Sequence, residues 1–289
     1  MYTAHPAEFD YRRPGTVDEA VALLAKLDDA RALAGGHSLL PAMKLRLSTP
    51  ATLVDIGRIA ELRGIERDGD GLRIGALATH TEVAESDLIR GACEILSETA
   101  ALIGDRQVRN RGTIGGSVAH ADPGADYPTV VTALAATIEV AGPGGRREIA
   151  AADFFTGIFE TALEPGELVT AVRVPALPAG TGAAYVKHKH PASGYAVAGV
   201  AAVVAVEGGT CTRARLVVGG VTGMPAGAPA AAEALVGASS DGIAAAAEKV
   251  PEALEGAIGD TYASGEYRVH LANVLARSAL EAAFGRAEG

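Results

Sequence analysis

Two short stretches hold the residues best suited to gripping an anion. Ala34 to Ser38 reads AGGHS, and Thr113 to Ser117 reads TIGGS. In each, a serine stands within two positions of a glycine pair. A glycine pair after a strand can take positive φ and turn successive N–H groups to one side, forming a nest that holds phosphate. Ser38, Thr113 and Ser117 add hydroxyl donors. Two such stretches suit a diphosphate held from both sides, as in a dinucleotide. With 36 glycines in the chain, pattern alone leaves open that both are plain turns. Neither belongs to a GxGxxG motif with the usual helix and acid, and no GxxxxGK[ST] occurs, so ordinary Rossmann and P-loop readings fail.

Other chemistry is sparse. Cys93 and Cys211 are the only cysteines and no CxxC occurs, which excludes a four-cysteine iron–sulfur cluster within the chain. They read as two core thiols rather than a disulfide. His188 and His190 stand at i and i+2, but no Cys, Asp or Glu lies close enough in sequence to complete a metal set. No nucleophile triad or paired carboxylates emerge, so no catalytic side chain is assigned. His37 reads as a residue that fixes its turn or touches a ligand, without acid–base work.

The elements that must carry these stretches are legible by pattern. TVDEAVALLAKL opens on Thr16 with Glu19 three residues on, a capping-box signature, and Val17, Val21, Leu24 and Leu27 trace one stripe. ARALAG and ATLVDIG read as strands, the first running into Gly35 and Gly36. GLRIGALAT is a strand, THTEVAES opens a helix, and ACEILSETAALIG is a helix bounded by Gly104. Past the second glycine pair come a helix, a strand and a turn, then a short helix mixed with strands. Pro175 to Gly182, dense in Pro and Gly, is the best domain boundary. Beyond it, YAVAGVAAVVAVEGGTCTRARLVVGGV reads as strand, Gly-Gly turn, strand, and the Ala-rich remainder as helices. The architecture is α+β, with the first half split near Asp55 to Arg58.

Bulk properties narrow the class. The 289 residues are 48% hydrophobic, enough for a sizeable core, with a formal net charge of −10. An acidic chain is no natural nucleic-acid binder. The opening MYTAHPAEFDYRRP lacks the apolar run of a signal peptide, and apolar runs elsewhere are too short or broken to span a membrane, so the expected location is cytoplasmic.

RALAGGHSLLPAMKLRLSTPATLVDIGRI and RNRGTIGGSVAHADPGADYPTVVTALAATIEV closely resemble the FAD-binding medium subunits of molybdenum hydroxylases, the family of xanthine dehydrogenase and aerobic carbon monoxide dehydrogenase. LEPGELVTAVRVP, AYVKHKH and GYAVAGVAAVV extend the likeness over nearly the whole chain. It implies a fold of the PCMH, or vanillyl-alcohol-oxidase, type: two subdomains clasping FAD, residues 1–57 and 58–176, and a C-terminal domain of antiparallel sheet and helices, residues 177–289. Ala34, Gly35, Gly36, His37 and Ser38 match one loop around the pyrophosphate, and Thr113, Ile114, Gly115, Gly116 and Ser117 match the other. Asp126 matches a cofactor-binding acid, Val169 a residue whose backbone touches the flavin ring, Lys187 a base near it, and Tyr195 an aromatic beside it. The chain departs from close relatives at Ser117, where Asn is frequent, and at Gly194, where Asp often precedes the tyrosine.

The resemblance further implies partners: a large subunit with the molybdenum cofactor and a small subunit with two [2Fe-2S] clusters, assembled as a dimer of heterotrimers. Electrons would pass from those clusters to FAD and then to quinone, NAD or oxygen. The basic stretch Arg106, Arg109 and Arg111 is a candidate contact for the iron–sulfur chain or a solvated turn. A stand-alone FAD oxidoreductase of the same fold, and a flavin-free scaffold, are the alternatives.

Overall fold

The structure is a computed structural model that describes residues 5–289; residues 1–4, at the start of the first expected subdomain, lie outside the described residues. Three larger sheets follow one another along the chain, with a separate two-stranded hairpin inside the second unit. The first is parallel, with order β1-β3-β2, built from β1 (Asp10–Arg12), β2 (Ala30–Leu33) and β3 (Thr52–Asp55). Its crossovers are α1 (Val17–Lys26) and α2 (Leu39–Lys44). Parallel neighbours need such crossovers because a tight turn cannot reverse the chain and return it in the same sense. Thr16 caps α1, its hydroxyl accepting from the Glu19 N–H at 3.2 Å. Glu19 reaches back to the Gly15 N–H rather than to that of Thr16. The buried stripe is Val17, Ala20 and Val21, while Leu27 already lies outside the helix.

The second sheet is antiparallel, with order β4-β5-β10-β6-β7. It contains β4 (Ile65–Asp68), β5 (Gly71–Gly75), β6 (Thr137–Gly142), β7 (Gly145–Ala150) and, after the small hairpin β8 (Phe155–Gly157) and β9 (Glu160–Thr161), β10 (Leu168–Val174). Between β5 and β6 run α3 (His80–Glu85), α4 (Asp87–Ala92), α5 (Glu94–Leu102), α6 (Arg106–Arg109), α7 (Ile114–His120) and α8 (Asp126–Ala133); α9 (Ala151–Phe154) precedes the hairpin. Thr79 and Glu82 form a reciprocal capping box that starts α3. The basic stretch, which carried no element in the sequence, is the short helix α6, capped by Asp105.

The third sheet, β11 (Thr181–Lys189), β12 (Ala196–Glu207), β13 (Thr210–Gly219) and β14 (Ala226–Gly227), is an antiparallel meander. It is followed by α10 (Pro229–Leu235), α11 (Ile243–Ala247) and the long α12 (Gly265–Glu288). Both faces of this sheet are covered. Val200, Ala202 and Val204 pack in one core with Ala276, Ala279 and Ala283 of α12. Tyr185, Ala201 and Val217, one residue out of phase, pack in the other core with helices of the second sheet's unit. That double burial explains why β12 reads as an unbroken apolar run instead of an alternation.

Small residues let α12 lie almost on the backbone of β11. A Cβ at Gly182 would stand 1.9 Å from the Ala283 carbonyl oxygen and 2.6 Å from the Ala287 nitrogen. Both obstacles are main chain, so neither can swing aside. Gly182→Val is therefore expected to lower stability by ~3 kcal/mol through overpacking, read as a drop in the urea midpoint with the m-value unchanged.

Candidate functional site

The edge strand β2 ends by delivering Ala34, Gly35, Gly36, His37 and Ser38 into a loop before α2. Gly36 has φ +74, in the left-handed region that favours glycine. Among the described residues, the N–H groups of Gly35, Gly36, His37 and Ser38 donate to no protein acceptor. The Ser38 side chain makes no capping bond either. His37 folds its Nδ1–H back to the Gly35 carbonyl at 3.1 Å and so braces the turn. Four adjacent backbone donors on one loop are thus left free.

The second stretch differs from that expectation. Gly115 and Gly116 lie in the first turn of α7, in right-handed helix, not in a glycine turn. Their donors are already engaged: Ile114 N–H to Ala78 O and Gly115 N–H to Ala76 O, both at 3.0 Å, and Gly116 N–H to Thr113 Oγ1 at 3.1 Å. Gly115 serves close approach, while Gly116 leaves only ordinary contact to its neighbour across the loop. A Cβ at Gly115 would be 2.4 Å from the Ala76 Cβ, and one at Gly116 would be 3.9 Å from the Ala34 Cβ. This stretch is a tight wall with the Thr113 and Ser117 hydroxyls on it rather than a second nest.

The two stretches meet. A Cβ on Gly35 would stand 2.1 Å from the Arg111 carbonyl oxygen and 2.9 Å from the Gly112 Cα. The nest is thus pressed against the backbone that leads into α7. Of the basic cluster, Arg109 donates to the carbonyls of Ile103 and Gly104, at 3.0 and 3.2 Å, and closes the end of α5. Arg106 and Arg111 are exposed.

Asp126, Lys187 and Tyr195 gather where α8 meets the third sheet. Asp126 is buried at the start of α8. One of its oxygens accepts from the Tyr185 hydroxyl at 2.6 Å, the other from Lys187 Nζ at 2.8 Å. Lys187 Nζ also donates to the Gly194 carbonyl at 2.9 Å, one residue before Tyr195. Burial raises the Asp126 carboxyl above the usual range, while the Lys187 charge and the two hydrogen bonds oppose that rise. Asp126 and Lys187 therefore bind one another and the Tyr195 loop. Tyr185, which no sequence motif singled out, completes the network; its place two residues before Lys187 on one strand face was the available signal. Gly199 leaves room for its ring, since a Cβ there would lie 2.4 Å from the Tyr185 oxygen.

Tyr195 itself is part-exposed, packed beside Gly124. Burial and the Asp122 charge raise its phenol, and the nearby Ser38 side chain counters them, which puts Tyr195 beside the nest. A cleft of about 280 Å³ opens at Tyr195, lined also by Asp122, Ile158, Phe159 and Arg268. Phe159 projects from the β8–β9 turn with φ +57, a strained conformation for a bulky residue, and its ring meets His120 at 5.0 Å. Sequence reasoning missed this aromatic lip because a positive φ at Phe has no sequence signature.

Val169 lies apart from these groups. Its side chain is buried in the core of the second sheet and it pairs with Val140. A register shift follows it, and the Thr170 carbonyl accepts from Ala76 N–H at 2.9 Å. Strand β10 thereby supports the floor on which Gly115 rests. His190 accepts the Ala192 N–H at 3.2 Å and meets the Tyr262 ring at 4.5 Å, and no cluster of three metal-ligating side chains exists among the described residues. Cys93 and Cys211 are free and sit in separate cores, and burial pushes the Cys93 thiol up to about 12.

Comparison with known proteins agrees with this geometry. Residues 7–177 match the FAD binding domain in molybdopterin dehydrogenase, and residues 183–283 match the CO dehydrogenase flavoprotein C-terminal domain. The chain is 44% identical over 285 residues to the carbon monoxide dehydrogenase medium chain of Afipia carboxidovorans, covering 98% of this chain and 99% of that one. It is 40% identical to the glyceraldehyde dehydrogenase medium chain of Sulfolobus acidocaldarius, over 76% of this chain and 78% of the other. A solved carbon monoxide dehydrogenase from Hydrogenophaga pseudoflava superposes with a TM-score of 0.94 at 42% identity, covering 98% of this chain and 99% of that chain. With four free N–H donors in a nest, a glycine wall against it and both domain models matched in order, the chain belongs to the family of FAD-binding subunits of molybdenum-containing dehydrogenases.

Proposed function

We propose that this chain is the FAD-carrying electron-transfer subunit of a molybdenum hydroxylase complex, accepting electrons from [2Fe-2S] clusters on a partner and passing them to an external acceptor. The observation that carries the reading is the set of unpaired N–H groups at Gly35, Gly36, His37 and Ser38, on a loop whose Gly35 packs too closely on the Arg111 and Gly112 backbone to admit a Cβ. A diphosphate is the ligand such a nest complements. FAD supplies a carrier that takes electrons singly and releases them in pairs.

The chain's own residues then bind and orient. The nest holds the diphosphate bridge, with the hydroxyls of Ser38, Thr113 and Ser117 beside it. Asp126 and Lys187 hold the Gly194–Tyr195 loop, and each Asp126 oxygen keeps a lone pair for a cofactor hydroxyl. Tyr195 forms one wall of the ring side. Val169 acts through the strand beneath. We divide the chain into two FAD-clasping subdomains, 1–57 and 58–176, and a C-terminal domain, 177–289, each holding one of the three sheets. The partners are a large molybdenum-cofactor subunit and a small iron–sulfur subunit, as a dimer of heterotrimers in the cytoplasm. Among the described residues no helix is long and apolar enough to cross a membrane. Carbon monoxide is the first substrate to test, given the 44% identity to a carbon monoxide dehydrogenase medium chain.

The deciding experiment isolates the native complex, measures molybdenum, iron and FAD, and follows flavin bleaching on addition of carbon monoxide or an aldehyde. A chain that purifies alone, yellow but without metal, refutes the partner reading. A colourless chain that takes up no FAD refutes the flavin reading.

Four variants probe the parts. Gly35→Val should push the nest off Arg111 and weaken FAD binding at least tenfold, measured by flavin fluorescence. Asp126→Asn strands a buried ammonium and should cost about 3–5 kcal/mol; Asp126→Asn with Lys187→Met should recover part of that loss in urea melts. Arg106→Glu should weaken subunit association, increasingly so at low salt, while flavin content stays unchanged.

A further inference from the structure

The turn from His190 to Tyr195 joins β11 to β12 and brings Tyr195 to the cleft, which His190 also lines. Its sequence, HPASGY, builds a single helical turn. Pro191 has no N–H to leave unpaired, which suits the first position of such a turn. The Gly194 N–H donates to the His190 carbonyl at 2.9 Å, and Gly194 has φ +76, the left-handed stop that glycine favours. The donors between them, the N–H groups of Ala192 and Ser193, both reach His190 Nδ1, at 3.2 and 3.4 Å. The His190 ring thus stands where Asn, Asp or Ser ordinarily caps a helix. An amide N–H only donates, so Nδ1 is the unprotonated nitrogen of the ring. The His190 backbone closes the turn as well, its N–H donating to the Tyr195 carbonyl at 2.7 Å.

The ring is held from its other side. Tyr262 meets it at 4.5 Å, with the planes 63° apart. The Tyr262 loop is fixed by Asp260, which accepts the N–H groups of Tyr262 and Ala263 at 2.8 and 2.9 Å. Asp260 pairs with Arg268, buried in α12, and Arg268 donates to the carbonyls of Val197 and Gly220 at 2.9 and 2.6 Å. Val197 lies two residues after Tyr195 on β12. The imidazole is therefore clamped between its own turn and a loop anchored to the strand that Tyr195 leads into. Lys187 holds the turn only at Gly194; among the described residues, the Ala192 and Ser193 amides have no acceptor other than His190.

We propose that His190 is the positioning residue of Tyr195: by capping the turn, it holds the phenol ring as a wall of the flavin's ring side. The inference rests on the flavin reading above. Tyr195 is part-exposed, so core packing alone does not fix its ring, and the shape of the turn does. Without the cap, the two amides turn to water and the turn takes up other shapes. Affinity for the ring then falls by the fraction of molecules that keep the competent one.

The test uses the purified complex, stripped of flavin and titrated with FAD, riboflavin and ADP. His190→Phe keeps a flat ring on Tyr262 and removes the acceptor. His190→Asn keeps an acceptor oxygen at the place of Nδ1 and gives up the ring. Riboflavin and FAD affinity should fall about three- to thirtyfold in His190→Phe, the scale of losing a helix cap. ADP has no isoalloxazine and should bind every variant as it binds the parent, which also reports that the fold persists. His190→Asn should bind all three ligands like the parent. In a Tyr195→Ala background His190→Phe should add nothing, because its effect runs through Tyr195. Unchanged riboflavin affinity in His190→Phe overturns the assignment, as does an equal loss for ADP, no recovery in His190→Asn, or additive losses in the double variant. A parent complex that takes up no FAD refutes the flavin reading and this inference with it, whereas a parent that binds FAD beside an unaffected His190→Phe refutes this inference alone.

Discussion

The contact on which the site depends is backbone against backbone, Gly35 upon Arg111 and Gly112. It is the only way the end of a parallel sheet can lie beside a segment more than seventy residues later without side chains between them. Any Cβ at Gly35 would overlap the Arg111 carbonyl, so the approach is conditional on glycine. Because the segment is held at the same time by its bonds to Ala76, Ala78 and His80, it acts as a rigid stop for the loop. The loop is left with its own donors unpaired, a costly state for buried amides and an acceptable one for a surface that receives an anion.

A second, independent support brings the C-terminal sheet to the same place. The sheet is sandwiched between α12 and the helices of the middle unit, so its position is set by two cores at once. Strand β11 can then carry Tyr185 and Lys187 to Asp126, and the turn after it can carry Tyr195 to the vicinity of Ser38. The buried Asp126–Lys187 pair contributes little net stability of its own, since desolvation offsets most of the attraction. Its physical effect is to permit one arrangement of the loop and penalise others, because any other arrangement strands a charge.

The electrostatic character of the site follows from this division. The free donors of the Gly35–Ser38 loop are neutral amides, with the hydroxyls of Ser38, Thr113 and Ser117 on the same two stretches. The charges sit at the other end, paired, behind the Tyr195 loop. A strongly acidic chain can therefore hold an anionic cofactor without a cluster of lysines in the nest, since oriented dipoles supply the complement.

Much of this was readable before folding. The helix starts at Thr16 and Thr79 and the apolar runs of β10 and β12 come from local rules, because capping and periodicity act over a few residues. The glycine pair and the nearby hydroxyl of AGGHS were legible for the same reason. The second glycine pair was not, since Gly115 and Gly116 look identical in sequence whether they make a turn or a close helix contact; only the position of Ala76 decides. The partners of Asp126 and Lys187, the burial of His80 and the strained turn at Phe159 were likewise settled by tertiary packing. Local sequence determines which conformations a segment prefers and which chemical groups it carries. Which groups face one another across long stretches of chain is determined by how the cores close, and those contacts exist only in the assembled fold.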